Sequence, residues 1–170
     1  EIHTPESTCV DKPWAVTGTK MQRRHNIINS LYLTPNALED LVRARYERYK
    51  IVEEKEQRAE EYRTEDADVI VVAYGASSRV ARSAVNKARE AGKKVGLIRP
   101  ITLWPFPKDA IKRAADHTKE LLVVEMSMGQ MVDDVRLAAE CRVPVHFYGR
   151  TGGVIPTPKE ILGEIDKLLK

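Results

Sequence analysis

From Val69 onward the chain alternates short, unbroken apolar runs with segments whose apolar residues recur every three or four positions. Val69-Ile70-Val71-Val72-Ala73-Tyr74 is apolar and rich in β-branched residues, as a strand covered on both faces requires. Gly75-Ala76-Ser77-Ser78 turns it into a helix with the stripe Val80, Ala81, Ala84, Val85 and Ala88, closed by Gly92. A second strand, Lys94 to Arg99, is stopped by Pro100, and the loop Trp104-Pro105-Phe106-Pro107 leads to a helix with Ala110, Ile111, Ala114 and Ala115 inside. Leu121 to Glu125 is a third strand, followed by a helix from Gly129 to Glu140 whose inner face carries Met131, Val132, Val135, Ala138 and Ala139. Val145 to Tyr148 is a fourth strand. Gly149-Arg150-Thr151-Gly152-Gly153 loops away from it, and Thr157-Pro158 caps a last helix. Strands and helices alternating at this spacing predict βαβ units, right-handed crossovers and a mainly parallel sheet. The predicted fold is an α/β, three-layer, Rossmann-like sandwich over residues 67–170.

The first 66 residues follow different rules. Residues 1–33 have no periodicity, are punctuated by Pro5, Pro13 and Gly18, and read as an irregular linker arm with a small basic cluster, Arg23-Arg24-His25. Thr34-Pro35 gives a cap followed by proline at the first helical position. From there no breaker interrupts a long connecting helix, 34–66, with Leu38, Leu41, Val42, Tyr49, Val52, Ala59 and Tyr62 at helical spacing and dense mixed charge elsewhere. Its single narrow stripe needs a surface outside the segment, so arm and helix are not expected to fold alone. Left uncovered, the stripe would promote self-association.

Composition narrows the function classes. With 28 Lys+Arg against 25 Asp+Glu, the net charge of +3 lacks the clustered basic face of a nucleic-acid binder. The charge is unevenly shared: residues 1–67 carry 11 basic and 13 acidic groups, and residues 68–170 carry 17 and 12. No apolar run approaches the ~20 residues of a membrane helix, and no leader is visible, so a cytoplasmic protein is expected. The chain opens Glu1-Ile2-His3 without an initiator Met, which reads as the edge of a longer polypeptide. Cys9 and Cys141 lie far apart with no paired-cysteine motif, leaving an iron–sulfur cluster, a zinc knuckle and a disulfide framework unsupported.

In open α/β sheets ligands sit at the carboxyl ends of the strands. Three loops qualify: Gly75 to Arg79, Met126 to Gln130, and Gly149 to Gly153. The first has one glycine where a dinucleotide fingerprint needs three, and no acidic ribose partner follows the second strand. Ser77 reads as the N-cap of its helix, with anion binding at that N-terminus, helped by Arg79, as the alternative. The loop of Gly149 and Arg150 lacks the Lys-Ser/Thr ending of a triphosphate loop and reads as a turn. Glu125 closes an apolar strand. A buried carboxylate there can serve as acid or base, or hold a loop backbone or a neighbouring chain. Trp104, between stiffening prolines, is either core packing or an aromatic anchor for another subunit. The four histidines have no metal-site spacing, and Cys141 has no basic activator in the sequence.

Taken whole, the strings VIVVAYGASSRVARSAVNKAREAGKKVGLIRPITLWPFP, ELLVVEMSMGQMVDDVRLA and VPVHFYGRTGGVIPTPKEIL resemble the C-terminal domain of one subunit of the 2-oxoacid:ferredoxin oxidoreductases. DKPWAVTGT and RRHNIINSLYLTP resemble the linker of that subunit, and the 2-ketoisovalerate and 2-oxoglutarate branches are the most similar. A more distant similarity is to the transketolase C-terminal domain, a Rossmann-like sheet with an antiparallel edge strand. The resemblance implies a reaction in which a 2-oxoacid is decarboxylated on thiamine diphosphate, electrons pass through iron–sulfur clusters to ferredoxin, and coenzyme A takes the acyl group. The chain has no thiamine-pyrophosphate and magnesium motif and no cluster cysteines. The resemblance therefore implies a thiamine-diphosphate-binding partner subunit and a ferredoxin-like, iron–sulfur partner subunit. No catalytic residue can be carried over. Two readings stay open: an assembly domain without chemistry of its own, and a module whose basic loops, with Arg79, Arg99 and Arg150, bind an anion such as coenzyme A.

Overall fold

A computed structural model describes residues 15, 18, 20–22, 24 and 29–169. The Arg23-Arg24-His25 cluster, except Arg24, and most of the arm lie outside the described residues. The chain divides into two units, residues 1–43 and 44–170. In the first, helix α1 (Pro35–Lys55) begins at the predicted proline, with the Leu38 N–H donating to the Thr34 carbonyl at 3.1 Å. α1 runs on into the second unit, and none of its residues is buried.

The second unit holds one five-stranded sheet in the order β1-β3-β2-β4-β5, built from β1 (Ala59–Tyr62), β2 (Val69–Val72), β3 (Val95–Pro100), β4 (Glu120–Glu125) and β5 (Val145–Gly149). All pairings are parallel except that of β1 with β3. Helices α2 (Gly75–Glu90) and α5 (Pro158–Leu168) supply Ala81, Ala84, Val85, Ile161 and Ile165 to one face. On the other face α3 (Lys108–Ala115) and α4 (Met131–Ala139) bury Ile111, Ala114, Met131 and Val135. The four residues of β2 are fully buried between the layers, so its unbroken apolar run records coverage on both faces. The predicted three-layer α/β sandwich is the observed one.

The predicted helix 34–66 is corrected. α1 stops at Lys55, and residues 59–62 instead form the antiparallel edge strand, so the α/β body begins before residue 67. Ala59-Glu60-Glu61-Tyr62 has ample helix propensity, but pairing with Leu97–Pro100 offers it more. The Tyr62 hydroxyl donates to Asn86 Oδ1 at 2.9 Å, and its ring lies under the Arg82 guanidinium at 4.3 Å. Glu60 pairs with both Arg82 and Arg99, and Glu61 with Arg113. Those arginines hold the Glu60 carboxyl below the usual carboxylate range, the Arg82 hydrogen bond contributing most. Charged side chains on a short outer strand also discourage pairing with other chains. Where the chain leaves β1, Arg63 crosses Gly96 of β3 so closely that a Cβ there would lie 2.6 Å from the Arg63 carbonyl oxygen.

Candidate functional site at the carboxyl edge of the sheet

The strand order reverses beside β2: the chain moves outward to β3, then crosses back to β4 and β5. The loops that follow β2 and β4 therefore flank the switch point, the place where open α/β sheets accommodate ligands. After β2 the chain turns so tightly that α2 starts at Gly75, in the left-handed conformation at φ +56°, with Tyr74 at the cap position. Ser77 is consequently not the N-cap. It lies inside the first turn, 4% exposed, and Ser78 Oγ donates to the Gly75 carbonyl at 2.7 Å. Arg79 is exposed and makes no ion pair with the described residues.

After β4 the site is a single hydrogen-bonded unit. Glu125 is 1% exposed, and its carboxylate accepts from the backbone N–H groups of Gln130, Met131 and Val132 at distances of 2.9–3.3 Å, and from Ser127 Oγ at 3.0 Å. A strand-end side chain thus caps the N-terminus of α4, meeting its unsatisfied donors with a full negative charge where the helix dipole favours one. Of the roles open to Glu125 in the sequence, the geometry supports holding the loop backbone. Gly129 lies in that loop, its N–H donating to Ser127 Oγ at 3.0 Å. Gly149 abuts it: a Cβ there would collide with the Ser127 carbonyl and lie 2.5 Å from the Phe147 ring. The Arg150 N–H donates to the Glu125 carbonyl at 3.1 Å, and its side chain pairs with Glu160 at 3.3 Å. Gly152 and Gly153 lie in a turn closed by Val154 N–H to Thr151 O, in line with a turn-forming loop. The predicted capping of the last helix is present, Thr157 and Glu160 forming a reciprocal box. The Thr157 backbone N–H and hydroxyl, with Arg150, hold Glu160 below the ordinary carboxylate range.

The structure thus brings Glu125, Gly129, Gln130, Gly149 and Arg150 together, with Gly75, Ser77, Ser78 and Arg79 on the neighbouring strand end. Trp104 stands apart. It is 56% exposed, its ring meeting Tyr49 edge-on at 5.3 Å between centroids, so it is not core packing. What the residue-type search missed is the apolar character of this edge. Ile101, Leu103, Met126, Met128, Val154 and Ile155 are all exposed on loops after β3, β4 and β5, Met128 to 82%. The signal was available as large apolar residues inside loop segments, beginning with Met126-Ser127-Met128 beside a glycine.

Both described histidines are structurally engaged. His146 contacts Glu120 at 2.7 Å near the opposite end of the sheet, and both ring nitrogens of His117 face carbonyl oxygens, those of Arg113 and Thr64. Cys141 is exposed in the turn after α4. Among the described residues no group of three His, Cys, Asp or Glu side chains could hold a metal ion, and no helix is long and apolar enough to cross a membrane.

Residues 67–161, from the end of the β1–β2 link to the first turn of α5, match the family described as pyruvate:ferredoxin oxidoreductase core domain II. The chain belongs to that family. Ketoisovalerate oxidoreductase subunit VorB of Methanothermobacter thermautotrophicus is 45% identical over 167 residues, covering 96% of this chain and 47% of that protein. 2-Oxoglutarate synthase subunit KorA of Methanothermobacter marburgensis is 44% identical over 102 residues, 60% of this chain and 27% of that protein. The core domain II chain therefore spans about half the length of the VorB proteins it matches. Among solved structures, 2-oxoglutarate:ferredoxin oxidoreductase from Magnetococcus marinus, with 2-oxoglutarate, coenzyme A and succinyl-CoA bound, superposes with a TM-score of 0.71 at 24% identity over 82% of this chain and 24% of that one. A split-gene transketolase gives a TM-score of 0.55 at 19% identity, over 66% of this chain and 41% of that one. Both share the fold of the core domain II chain, including the transketolase-like character its sequence suggested.

Proposed function

We propose that the chain is the C-terminal domain of a subunit of a thiamine-diphosphate-dependent 2-oxoacid:ferredoxin oxidoreductase of the 2-ketoisovalerate type. In that reaction a branched 2-oxoacid becomes an acyl-CoA and CO2, and the electrons pass to ferredoxin in the cytoplasm. The observation that carries the reading is the 45% identity to VorB maintained across 96% of the chain. Within the complex this domain acts as an assembly element. Its best-organised carboxylate, Glu125, is committed to four donors inside its own loop, and so is spent on shape rather than chemistry. The loop it holds presents Met126 and Met128 outward, adaptable apolar side chains suited to a protein partner.

Thiamine diphosphate with its magnesium, and the iron–sulfur clusters, supply the decarboxylation and electron-transfer chemistry. The described residues do not fit them, since the buried polar side chains are Thr64, Ser77, Ser78, Thr118 and the already saturated Glu125. These groups are accordingly assigned to a thiamine-diphosphate-binding subunit and an iron–sulfur subunit. The test is to purify the whole enzyme with its partners and measure coenzyme-A-dependent ferredoxin reduction against a panel of 2-oxoacids. 3-Methyl-2-oxobutanoate is expected to give the highest kcat/KM. A preference for 2-oxoglutarate would move the protein to that branch, and no turnover of any 2-oxoacid would overturn the reading.

A further inference from the structure

The two edges of the sheet are finished differently. β1 carries Glu60 and Glu61 in ion pairs with arginines, which discourages another chain from adding there. β5 is the other edge, and Val145-His146-Phe147-Tyr148-Gly149 contains no Lys, Arg, Asp or Glu. All its residues are half-buried, whereas the neighbouring β4 is buried from Leu121 to Glu125. Phe147 packs against the α3–α4 layer and Tyr148 against the α2–α5 layer. The strand is therefore firmly seated, yet incompletely covered on both faces.

Hydrogen bonds fix which way each β5 residue turns. The Leu121 N–H donates to the Pro144 carbonyl at 3.0 Å, and the Arg150 N–H donates to the Glu125 carbonyl at 3.1 Å. With Leu121 opposite Val145 in a parallel pairing, Pro144, His146, Tyr148 and Arg150 turn their backbone groups toward β4. Val145, Phe147 and Gly149 turn theirs outward, and these groups have no hydrogen-bond partner among the described residues. Such a row of open donors and acceptors is a template for another strand.

The row matches a reversed copy of itself. Its residues are symmetric about Phe147, so a two-fold axis there lets Phe147 exchange both bonds with its own counterpart. Val145 exchanges both with Gly149 of the second copy. Phe147 then faces Phe147 on one side of the sheet and His146 faces Tyr148 on the other, aromatic pairs of the kind that stabilise sheets. Arg150 falls opposite Pro144, so no like charges meet. We propose that β5 is an interface between two copies of this chain, joined antiparallel about Phe147 into one continuous sheet. The inference rests on the β5 backbone and owes nothing to the reaction proposed above, so the two fail independently.

The experiment combines sedimentation equilibrium of the 170-residue chain with residue-resolved amide exchange by NMR, each over a range of concentrations. A dimer is expected at about 100 µM. The amides of His146, Tyr148 and Arg150, bonded to β4, are expected to be protected at every concentration. Those of Val145, Phe147 and Gly149 are expected to gain at least about tenfold protection as the dimer forms. Val145→Pro removes an outward N–H and no bond to β4. It is expected to weaken dimerisation at least about tenfold with the circular dichroism unchanged. The exchange pattern is read on the parent chain, so the test does not depend on that variant folding. The proposal is overturned if the chain stays monomeric up to about 500 µM, or if a folded Val145→Pro chain dimerises as tightly as the parent. It is equally overturned if a dimer forms while the Phe147 and Gly149 amides stay unprotected, as association through the α1 stripe would leave them. Protection of those amides in the monomer would overturn it too, since another part of the chain would then cover the edge.

Discussion

Replacing Glu125 by Gln keeps the shape of the side chain and removes its charge. The carboxylate presents two acceptor oxygens to three backbone N–H groups and one hydroxyl. An amide presents one acceptor and turns an NH2 toward donors that have no other partner. Hydrogen bonds to a charged group contribute about 1.5–3 kcal/mol each, and a buried donor left unmet costs about 1–3 kcal/mol. Losing half of this arrangement, together with the favourable charge at the α4 N-terminus, gives a cost of about 2–3 kcal/mol for Glu125→Gln. Glu125→Ala, which also leaves a cavity, comes to about 3–5 kcal/mol. At roughly 3–4 °C per kcal/mol for a domain of this size, the Gln variant should melt about 6–12 °C lower. Urea denaturation gives the free energy, and hydrogen exchange locates it: the amides of Gln130, Met131 and Val132 should lose protection well before those of β2. A Gln variant within about 0.5 kcal/mol of the parent, with those amides unchanged, would refute the capping role.

Gly149→Ala should cost about 2–4 kcal/mol in denaturant melts, because the new methyl group meets the Ser127 carbonyl and the Phe147 ring; Gly163→Ala, in open space on α5, should instead gain about 0.5–1 kcal/mol. Trp104→Ala should cost no more than about 1.5 kcal/mol, since more than half the side chain is exposed, and a loss above about 3 kcal/mol would mean that the ring is core after all. A chain cut to residues 56–170 should melt cooperatively and self-associate less than the full chain. A cut to 67–170 should lose on the order of 3 kcal/mol with β1 and its Tyr62–Asn86 bond. Equal melts for the two truncations would show that the edge strand contributes nothing.

The α/β body was legible because its local signals agree with its tertiary structure. Val69 to Val72 could only be a doubly covered strand, the α2 and α5 stripes had the helical period, and Thr157-Pro158 marked the last helix through chemistry confined to four residues. Residues 56–62 were not legible, because Glu-Gln-Arg-Ala-Glu-Glu-Tyr favours a helix locally, and its last four residues become a strand only when the β3 edge, about 40 residues away, presents its backbone groups. Ser77 went astray for a related reason: the cap position was set by the left-handed turn at Gly75, a backbone choice that composition does not display. At the candidate site, Glu125 was conspicuous as a carboxylate ending an apolar strand. Which role it fills depends on the donors gathered from Ser127 to Val132, and only the packed loop brings them within reach. The surface cavity lined by Glu53, Trp104 and Leu137 is further still from the sequence, since its members come from three separate segments. Periodicity records which face of an element is buried, but convergence of side chains from distant elements is decided by how those faces pack.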